Sequence, residues 1–469
     1  MKKVIPVKKI IIITLIICVT YLIGGAFIPY MFRKTISEEN KIKMDNIVVT
    51  NNEVGSDRVG LIESPMDAFN VRIAMIRAAQ KSLDISYFII HDDDSSHAIL
   101  KEVLDAAKRN VKIRIIIDGK MTFQKEGTLD ILAVLKQYQN VEVKEYRPIS
   151  LVRPWTLQAC MHDKFIIVDQ TFLLLGGRNM GDQYFNPSNY EGAITNDRDV
   201  LVWNSENSGS SVLKEIESYM NLLWNHKEVI DLSRKIKKAD TIIRNLIDKS
   251  HEFENQNVEY YKMTLNDYLD LTHETNKVTL IHNPINTTKK EPLIAYKIKQ
   301  LLNGAKESII IQTPYATANK DLINTLNGFS VPVTFLTNSL KSSPNYFAYS
   351  NYYSNRSKFL NTEIDIFELQ SEHSIHAKSF VVDNHLSIVG SFNLDDRSYF
   401  IDTETMLIID SVEFTQTLKS AMQDIKENSK LVSDDYSEEQ NFIASKAGKK
   451  KNLIMRIMSF FTRTFEFLV

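Results

Sequence analysis

Two stretches of the sequence share one spacing of polar residues. Residues 161–185 read MHDKFIIVDQTFLLLGGRNMGDQYF, and residues 375–400 read IHAKSFVVDNHLSIVGSFNLDDRSYF. Each contains His-x-Lys-x-x-x-x-Asp, followed at equal distances by Gly and Asn. The matching residues are His162, Lys164, Asp169, Gly176 and Asn179 in the first stretch, and His376, Lys378, Asp383, Gly390 and Asn393 in the second. One three-residue match is a weak signal, whereas two copies in the same register indicate a duplicated functional motif.

The apolar residues after each histidine predict a β-strand, in which side chains two positions apart share a face. Each histidine therefore projects together with the lysine two residues later. The motif aspartates, Asp169 and Asp383, lie seven residues from their histidines, at the predicted turn into the next strand. We count them with the catalytic signature but expect them to brace this turn rather than to contact a substrate.

Further polar residues are expected to support the histidines. Asn179 and Asn393 follow Gly-rich turns, where an amide side chain and closely approaching backbone N–H groups can contact phosphate oxygens. A carboxylate is expected to orient each imidazole. The supporting residues predicted on these grounds, or from their position in the same turns, are Asn179, Asn393, Ser391, Gly177, Asp197 and Glu404.

Together, the two motifs supply two imidazoles, two ammonium groups and two amides. Displacement at a phosphodiester needs a nucleophile, an acid for the leaving oxygen and positive charge at the other oxygens. One histidine can form a covalent phosphohistidine while the other protonates the departing alcohol and then activates water or a second alcohol. Because lysines supply the positive charge, we expect no metal and no other cofactor.

The segments around the motifs repeat their element order. Residues 58–119 and residues 277–339 each read as strand, helix, strand, helix, strand. This pattern predicts an internal duplication and an α/β fold of two fused sandwich halves with mixed sheets. The predicted division is an anchor at 1–34, a linker at 35–57, a first half at 58–204, a helical connector at 205–276, a second half at 277–430 and a basic amphipathic tail at 431–469.

Residues 10–32 carry no charge and are long enough to cross the ~30 Å hydrocarbon layer of a membrane. Lys2, Lys3, Lys8 and Lys9 precede this run, so we expect a single-pass protein with its amino terminus inside and its catalytic body outside the cytoplasm. A cleaved signal peptide is the alternative, since small residues occur near position 25. Apolar residues continue beyond that point, which favours a permanent anchor.

The carboxyl-terminal tail has lysines at 449–451 followed by NLIMRIMSFFTRTFEFLV. Polar residues recur in this segment at helical spacing, which predicts an amphipathic helix. Such a helix either docks on the protein core or lies at a membrane surface. The flanking lysines and the phenylalanines favour the membrane surface.

The paired motifs resemble those of the phospholipase D superfamily, and most closely its bacterial cardiolipin synthase branch. The resemblance covers residues 58–410 and rests on GGRNMGDQYF at 176–185, LTNSL at 336–340, HAK at 376–378, GSFNLDDRS at 390–398 and TET at 403–405. It implies two phospholipase D-like halves and metal-free phosphatidyl transfer between glycerophospholipids. Hydrolytic members release phosphatidic acid instead. The resemblance also favours the amino-terminal histidine, His162, as the nucleophile.

The sequence departs from the branch at positions outside the motif residues. Ser95 and Ser96 stand where a glycine is common, Asp396 replaces a proline, and Ile401-Asp402 replaces Leu-Asn. These departures concern the choice of acceptor alcohol, which stays open together with the donor lipid and the oligomeric state.

The predicted function is therefore a membrane-bound phosphatidyltransferase, a cardiolipin synthase, with phospholipids and the membrane as partners. A hydrolytic phospholipase D and a membrane-anchored nuclease are the alternatives. A net charge of −2 and the lack of a dense Arg/Lys stripe beside the motifs argue against a specific nucleic-acid partner. A non-enzymatic scaffold is disfavoured because both motifs are complete.

Overall fold

The computed structural model describes residues 7–120, 126–206, 208–285, 288–343, 345–432, 453–462 and 466–468. The first half contains a nine-stranded mixed sheet in the order β10-β1-β8-β6-β5-β2-β3-β4-β9. Strands β2, β3 and β4 run parallel, and their other neighbours are antiparallel. The strands of this half are β1 (Asp57–Ile62), β2 (Ser82–Tyr87), β3 (Lys112–Asp118), β4 (Val141–Tyr146), β5 (Lys164–Val168), β6 (Phe172–Gly176), β7 (Thr195–Asn196), β8 (Asp199–Asn204), β9 (Val229–Asp231) and β10 (His273–Glu274).

The second half repeats this arrangement in an eight-stranded sheet in the order β11-β18-β17-β16-β12-β13-β14-β19. Each motif lies on an antiparallel hairpin, β5–β6 in the first half and β16–β17 in the second. The predicted duplication and mixed α/β fold are confirmed. The strands of this half are β11 (Lys277–His282), β12 (Ile309–Gln312), β13 (Val333–Asn338), β14 (Asp365–Leu369), β15 (Ser374–Ile375), β16 (Lys378–Val382), β17 (Leu386–Gly390), β18 (Thr405–Asp410) and β19 (Ser429–Leu431).

Helices surround the two sheets. Those up to the start of the second half are α1 (Val7–Phe27), α2 (Glu38–Asp45), α3 (Pro65–Ala78), α4 (Asp94–Lys108), α5 (Glu126–Leu135), α6 (Asp182–Phe185), α7 (Leu213–Trp224), α8 (Ala239–Gln256) and α9 (Leu265–Asp270). Those that follow are α10 (Leu293–Asn303), α11 (Lys320–Leu326), α12 (Tyr346–Leu360), α13 (Asp396–Phe400), α14 (Val412–Glu427) and α15 (Leu453–Thr462).

The two sheets pack on each other through a shared apolar core. Phe165 and Leu175 of the first sheet belong to the same buried cluster as Val381 and Val389 of the second. Separate clusters bury the outer faces, under α3, α4 and α8 in the first half and under α10 and α12 in the second. Each fully buried Val, Leu, Ile or Phe side chain contributes ~1.5–3 kcal/mol. This shared core holds the two halves together.

The segment predicted as a helical connector, residues 205–276, contributes more than helices. It contains α7, α8 and α9, and it also supplies β9 and β10, the two edge strands of the first sheet. It therefore completes the first half rather than only joining the halves. The predicted linker at 35–57 contains one short helix, α2, which Ser37 caps by accepting a hydrogen bond from the Asn40 amide.

The first helix is long and apolar enough to cross a membrane. The candidate span covers Val7–Tyr30, 24 residues with a mean hydropathy of 2.6, and almost all of it is exposed. The predicted positive charges at Lys2 and Lys3 lie outside the described residues. Helix α1 does not stand apart from the catalytic body, because the hydroxyl of Tyr21 on the helix donates a 2.6 Å hydrogen bond to the Val152 carbonyl. Tyr30, just after the helix, donates a 2.7 Å hydrogen bond to the Trp155 carbonyl.

The described part of the tail shows one of the two predicted modes of contact, docking on the protein. Helix α15 buries Met455 and Thr462, and Thr462 accepts a 2.9 Å hydrogen bond from Ser350 on α12. Phe460, 72% exposed, and Phe461 stay on the surface. The helix thus docks on the second half through one face, and the predicted contact with a membrane surface stays a prediction. The lysines at 449–451 lie outside the described residues.

Candidate active site

The two motif histidines lie at the start of corresponding strands, one in each sheet. His162 is two residues before Lys164, the first residue of β5, and His376 has the same relation to Lys378 and β16. The two histidine-lysine pairs are close enough to affect each other. Lys378 of the second half lowers the pKa of His162, and Lys164 of the first half lowers the pKa of His376. The structure therefore brings the two predicted histidines and lysines into one buried site.

Each histidine is held by a carboxylate from the opposite half. Nδ1 of His162 lies 3.0 Å from both carboxylate oxygens of Glu404. Nδ1 of His376 lies 2.5 Å from Oδ2 of Asp197. An acceptor at Nδ1 favours the tautomer with its proton on that nitrogen, which leaves Nε2 as the reactive nitrogen. No described residue hydrogen-bonds either Nε2.

This exchange of carboxylates follows from short strand pairings between the halves. Strand β15, which ends directly before His376, pairs in parallel with β7, which ends directly before Asp197. The His376 amide also donates to the Asn196 carbonyl. In the other pair, the His162 amide donates to the carbonyl of Thr403, the residue preceding Glu404. These backbone hydrogen bonds place His162 beside Glu404 of the second half, and His376 beside Asp197 of the first half.

Burial keeps both imidazoles neutral at rest. Burial and the Lys164 and Lys378 ammonium groups lower the pKa of His162 well below its usual range. Burial and Lys378 lower the pKa of His376 to about 4, against the opposing effect of Asp197. Since a neutral imidazole has a lone pair, both rings are prepared to attack or to accept a proton.

The two carboxylates differ in charge state. Although burial opposes ionisation, Lys378 and His376 lower the pKa of Asp197 below its usual range. Burial raises the pKa of Glu404 to about 7, despite hydrogen bonds from Ser391 at 2.5 Å and Ser398 at 2.6 Å. Asp197 is therefore ionised at neutral pH, whereas Glu404 is partly protonated.

The predicted turn residues Gly177 and Ser391 contact these two carboxylates in different ways. Gly177 lies so close to Asp197 that a Cβ added there would be 2.4 Å from the carboxylate oxygen. At the matching position of the second half, the Ser391 hydroxyl donates to Glu404. The first half therefore uses a glycine to admit the carboxylate, and the second half uses a serine to bind it.

The two motif lysines are buried beside the histidines. Lys164 donates a 2.5 Å hydrogen bond to the His162 carbonyl, and Lys378 makes the equivalent bond to the His376 carbonyl. Burial and the nearby Lys378 ammonium lower the pKa of Lys164 to about 7, and burial lowers that of Lys378 to about 8. A bound phosphate would favour the charged form of both lysines.

The predicted asparagines have polar atoms available near the site. Nδ2 of Asn179 donates to the Tyr184 hydroxyl at 3.0 Å. The Oδ1 atoms of Asn179 and Asn393 are buried, and no described group donates a hydrogen bond to them. Buried polar atoms of this kind normally have a partner, so a ligand or water is expected to complete the site.

The motif aspartates are not brought to the histidines. Asp169 accepts hydrogen bonds from the backbone amides of residues 80, 81 and 82 at 2.7–2.8 Å. Asp383 accepts the equivalent bonds from residues 306, 307 and 308. Both aspartates have positive φ angles, 52° and 57°. They brace the turns of the two motif hairpins, and the structure gives them no contact with the reacting site.

Several residues at the site were not identified from the sequence. The Tyr184 ring lies 5.9 Å from the His376 ring, and the Phe88 ring lies 5.1 Å from the His162 ring. Tyr184 and Ser398 each follow their motif histidine by the same interval, so a longer alignment of the two motifs would have found them. Phe88 carries no such signal, because it follows β2, which pairs with β5 only in the folded chain.

Two paired sites on a duplicated α/β scaffold define a class, the phospholipase D superfamily. A sequence profile of the family described as cardiolipin synthase, phospholipase D-like domain, matches residues 73–224 and 298–426, more than half of the chain. The chain belongs to this family. The predicted superfamily and branch are thus confirmed, and with them the class of phospholipid-modifying phosphatidyltransferases of the phospholipase D type.

Individual proteins resemble the chain over most of its length. Cardiolipin synthase C of Escherichia coli (strain K12) is 26% identical over 399 residues, which are 76% of this chain and 82% of the relative. Cardiolipin synthase 2 of Staphylococcus epidermidis (strain ATCC 12228) is 22% identical, covering 81% and 70%. The crystal structure of phosphatidylserine synthase from Haemophilus influenzae shares the fold, with a TM-score of 0.66 and 15% identity, covering 92% of this chain and 99% of that one.

Proposed function

We propose that this protein is a membrane-bound phosphatidyltransferase that acts on glycerophospholipids through a phosphohistidine intermediate, as a cardiolipin synthase. The observation that carries the proposal is the pair of imidazoles, with side chains 12% and 11% exposed, each held at Nδ1 by a carboxylate from the opposite half. Two such imidazoles supply a nucleophile and an acid–base group for one phosphodiester. Relatives named as cardiolipin synthases support the choice of lipid substrates.

In the first step, Nε2 of His162 attacks the phosphorus of the donor lipid. The phosphorus–oxygen bond to the head-group alcohol breaks, and His376 gives its proton to the departing oxygen. Lys164 and Lys378 neutralise the non-bridging oxygens, as positioned positive charge does in phosphoryl transfer. The anionic phosphate raises the pKa of His376 on binding, which supplies the protonated form that this step requires.

In the second step, His376 removes a proton from the acceptor alcohol. The alcohol oxygen attacks phosphorus, the phosphorus–nitrogen bond breaks, and His162 is regenerated. With a glycerol hydroxyl of phosphatidylglycerol as acceptor, the product is cardiolipin. With water as acceptor, the product is phosphatidic acid.

The different carboxylates support this division of roles. The ionised Asp197 stabilises an imidazolium at His376, which suits the acid. Glu404 is partly protonated, because burial raises its pKa to about 7, so it stabilises a charged His162 less and leaves that ring a neutral nucleophile. Helix α1, which is long enough to span the bilayer, is proposed as a permanent anchor with the catalytic body outside the cytoplasm.

Purified full-length protein in phosphatidylglycerol vesicles tests the proposal. With EDTA present throughout, we expect cardiolipin and glycerol, identified by mass spectrometry. The H162A and H376A variants should each be inactive, while H251A, which alters an exposed histidine on α8, should retain activity. Single-stranded and double-stranded DNA are incubated in parallel.

Other outcomes have distinct meanings. Phosphatidic acid as the main product would identify a hydrolytic phospholipase D. Cleavage of DNA without any lipid turnover would contradict the choice of substrate. Loss of activity in EDTA, restored by a divalent ion, would contradict the role given to the lysines.

A further inference from the structure

We propose that the turn at residues 148–153 inserts into the bilayer surface beside α1, so that the active site opens towards the lipid from which its substrate comes. This inference rests on the proposed membrane span of α1. The turn connects β4 to the segment that leads into His162. Its role is to seat the catalytic body at a set depth in the membrane.

Contacts between α1 and residues 152–155 fix the position of the turn along the helix axis. The Tyr21 hydroxyl donates a 2.6 Å hydrogen bond to the Val152 carbonyl. Four residues further along the helix, Gly25 lies against Pro154 so closely that a Cβ at this glycine would be 2.3 Å from the proline ring. Just after the helix, the Tyr30 hydroxyl donates a hydrogen bond to the Trp155 carbonyl. The turn therefore runs alongside the last part of α1.

The contact between Tyr21 and Val152 indicates how deeply the turn lies in the hydrocarbon layer when α1 spans the membrane. At ~1.5 Å per residue, the uncharged part of α1, residues 10–27, spans ~27 Å, which is close to the ~30 Å hydrocarbon layer. Tyr21 lies six residues before the end of the helix at Phe27, or ~9 Å inside it. Because Val152 is bonded to Tyr21, the tip of the turn lies at a similar depth when α1 spans the membrane. Interfacial segments bury their apolar face to ~5–10 Å, the same range.

The composition of the turn suits that position. Residues 148–152 read PISLV and carry no charge, and Arg153, the last residue of the turn, forms an ion pair with Glu228 at 3.5 Å. Leu151 and Val152 are 67% and 77% exposed, and no described part of the chain covers them. Apolar side chains beside a membrane helix are expected to enter lipid rather than water.

The backbone of the turn is also prepared for an apolar environment. The Ser150 amide donates to the Thr156 hydroxyl, and the Arg153 amide donates to the Ser150 carbonyl. The Val152 carbonyl accepts from Tyr21. Internal hydrogen bonds of this kind lower the cost of placing backbone polar groups away from water.

The turn connects directly to the active site. Arg147, directly before the turn, donates to the Trp155 carbonyl at 3.2 Å. Residues 158–160 then contact Arg397 and Asp402, beside the strand pairing that holds His162. The same short segment thus joins the bilayer surface to the proposed nucleophile.

Depth measurement tests the inference without reference to activity. In a C18S background, L151C is labelled with a nitroxide in the full-length protein reconstituted into vesicles, and L271C serves as the matched control. Leu271 is 62% exposed and follows α9. We expect the label at 151 to be accessible to oxygen and shielded from a water-soluble nickel chelate, with the opposite result at 271. Equal access of the chelate to both labels would overturn the proposal.

A measurement of transfer activity on vesicles and on a monomeric lipid complements the depth measurement. The double variant L151E/V152E should lose about tenfold or more of its transfer activity on long-chain phosphatidylglycerol vesicles, because two carboxylates oppose insertion. Its turnover of a monomeric short-chain phosphatidylglycerol should be unchanged, and L271E should retain activity on both substrates. Vesicle activity of the double variant equal to that of L271E would contradict the inference. If the wild-type protein transfers no lipid at all, the proposed function fails, while the nitroxide measurement still decides whether the turn inserts.

Discussion

At the scale of single residues, the paired motifs are alike, and the two halves differ in the carboxylates that contact the motif histidines. His162 and His376 have the same lysine and asparagine neighbours along the chain, but the carboxylates that hold them differ in charge. The chemistry of a displacement needs such a difference, because one imidazole must attack while the other carries a proton. The asymmetry therefore lies in residues that the paired motif does not include.

The assignment of roles predicts where a covalent intermediate forms. A lipid analogue with a p-nitrophenol leaving group needs little protonation, so the H376A variant should still release p-nitrophenolate and carry the phosphatidyl group on His162. With natural lipids, the same variant should lose the ~10²–10⁴-fold contribution of general acid catalysis. Digestion without acid, followed by mass spectrometry, locates the adduct. The H162A variant should carry none, and an adduct found on His376 alone would reverse the assignment.

Ser391 should influence the pH dependence of the reaction. The ionised form of Glu404 holds the Nδ1 proton of His162, so activity should fall as the pH decreases through the pKa of Glu404, about 7. The Ser391 hydroxyl favours that ionised form, so S391G should raise the pKa of Glu404 and shift the acid limb of kcat/KM to higher pH. Loss of charge on Lys164 acts in the opposite direction, because it reduces activity as the pH rises.

The matched control is S387A. Ser387, like Ser391, is a fully buried serine, and it lies on β17 just before Ser391, but its hydroxyl bonds Thr415 rather than Glu404. An acid limb that stays in place in S391G, or moves equally in S387A, would show that Ser391 does not act through Glu404.

At the scale of elements, the motif aspartates Asp169 and Asp383 belong to the paired motif but bind backbone amides of a turn rather than the histidines. Each carboxylate accepts three backbone hydrogen bonds from the turn before a neighbouring strand. Replacing Asp169 or Asp383 by Ala should reduce the free energy of unfolding by ~1–3 kcal/mol. Asn should be better tolerated, since it keeps one acceptor and adopts positive φ more readily.

Thermal unfolding and activity measured on the same preparations test this role. The folded fraction of each aspartate variant should keep kcat within about twofold of wild type, because no reacting group has been removed. A large loss of kcat in a variant with normal thermal stability would show that the aspartate takes part in the chemistry.

Much of the element pattern could be predicted from the sequence. The alternation of apolar strands and helices around the motifs predicts both sheets, and the uncharged run at 10–32 predicts α1. The pairing of carboxylates with histidines could not be predicted, because Asp197 and Glu404 occupy equivalent positions and their partners lie 179 and 242 residues away. Strands β9 and β10 were also missed, since two or three residues are too short to show periodicity.

At the scale of the whole molecule, the two halves are interdependent. Their sheets bury a common core, and short strands cross between them to exchange carboxylates. Half of each histidine's environment therefore belongs to the other half of the same chain. A half with an intact motif is not expected to function alone.

This arrangement predicts that inactive variants do not rescue each other. H162A and H376A each lack one of the two groups that a single site requires, so mixing or co-expressing them should restore no transfer activity. Mixtures of each variant with wild-type protein should show activity in proportion to the wild-type fraction, which controls for inhibition in mixed vesicles. Recovery of activity in the mixed variants would require halves from different chains to pair through the core seen here within one chain. It would therefore identify a domain-swapped dimer as the active form.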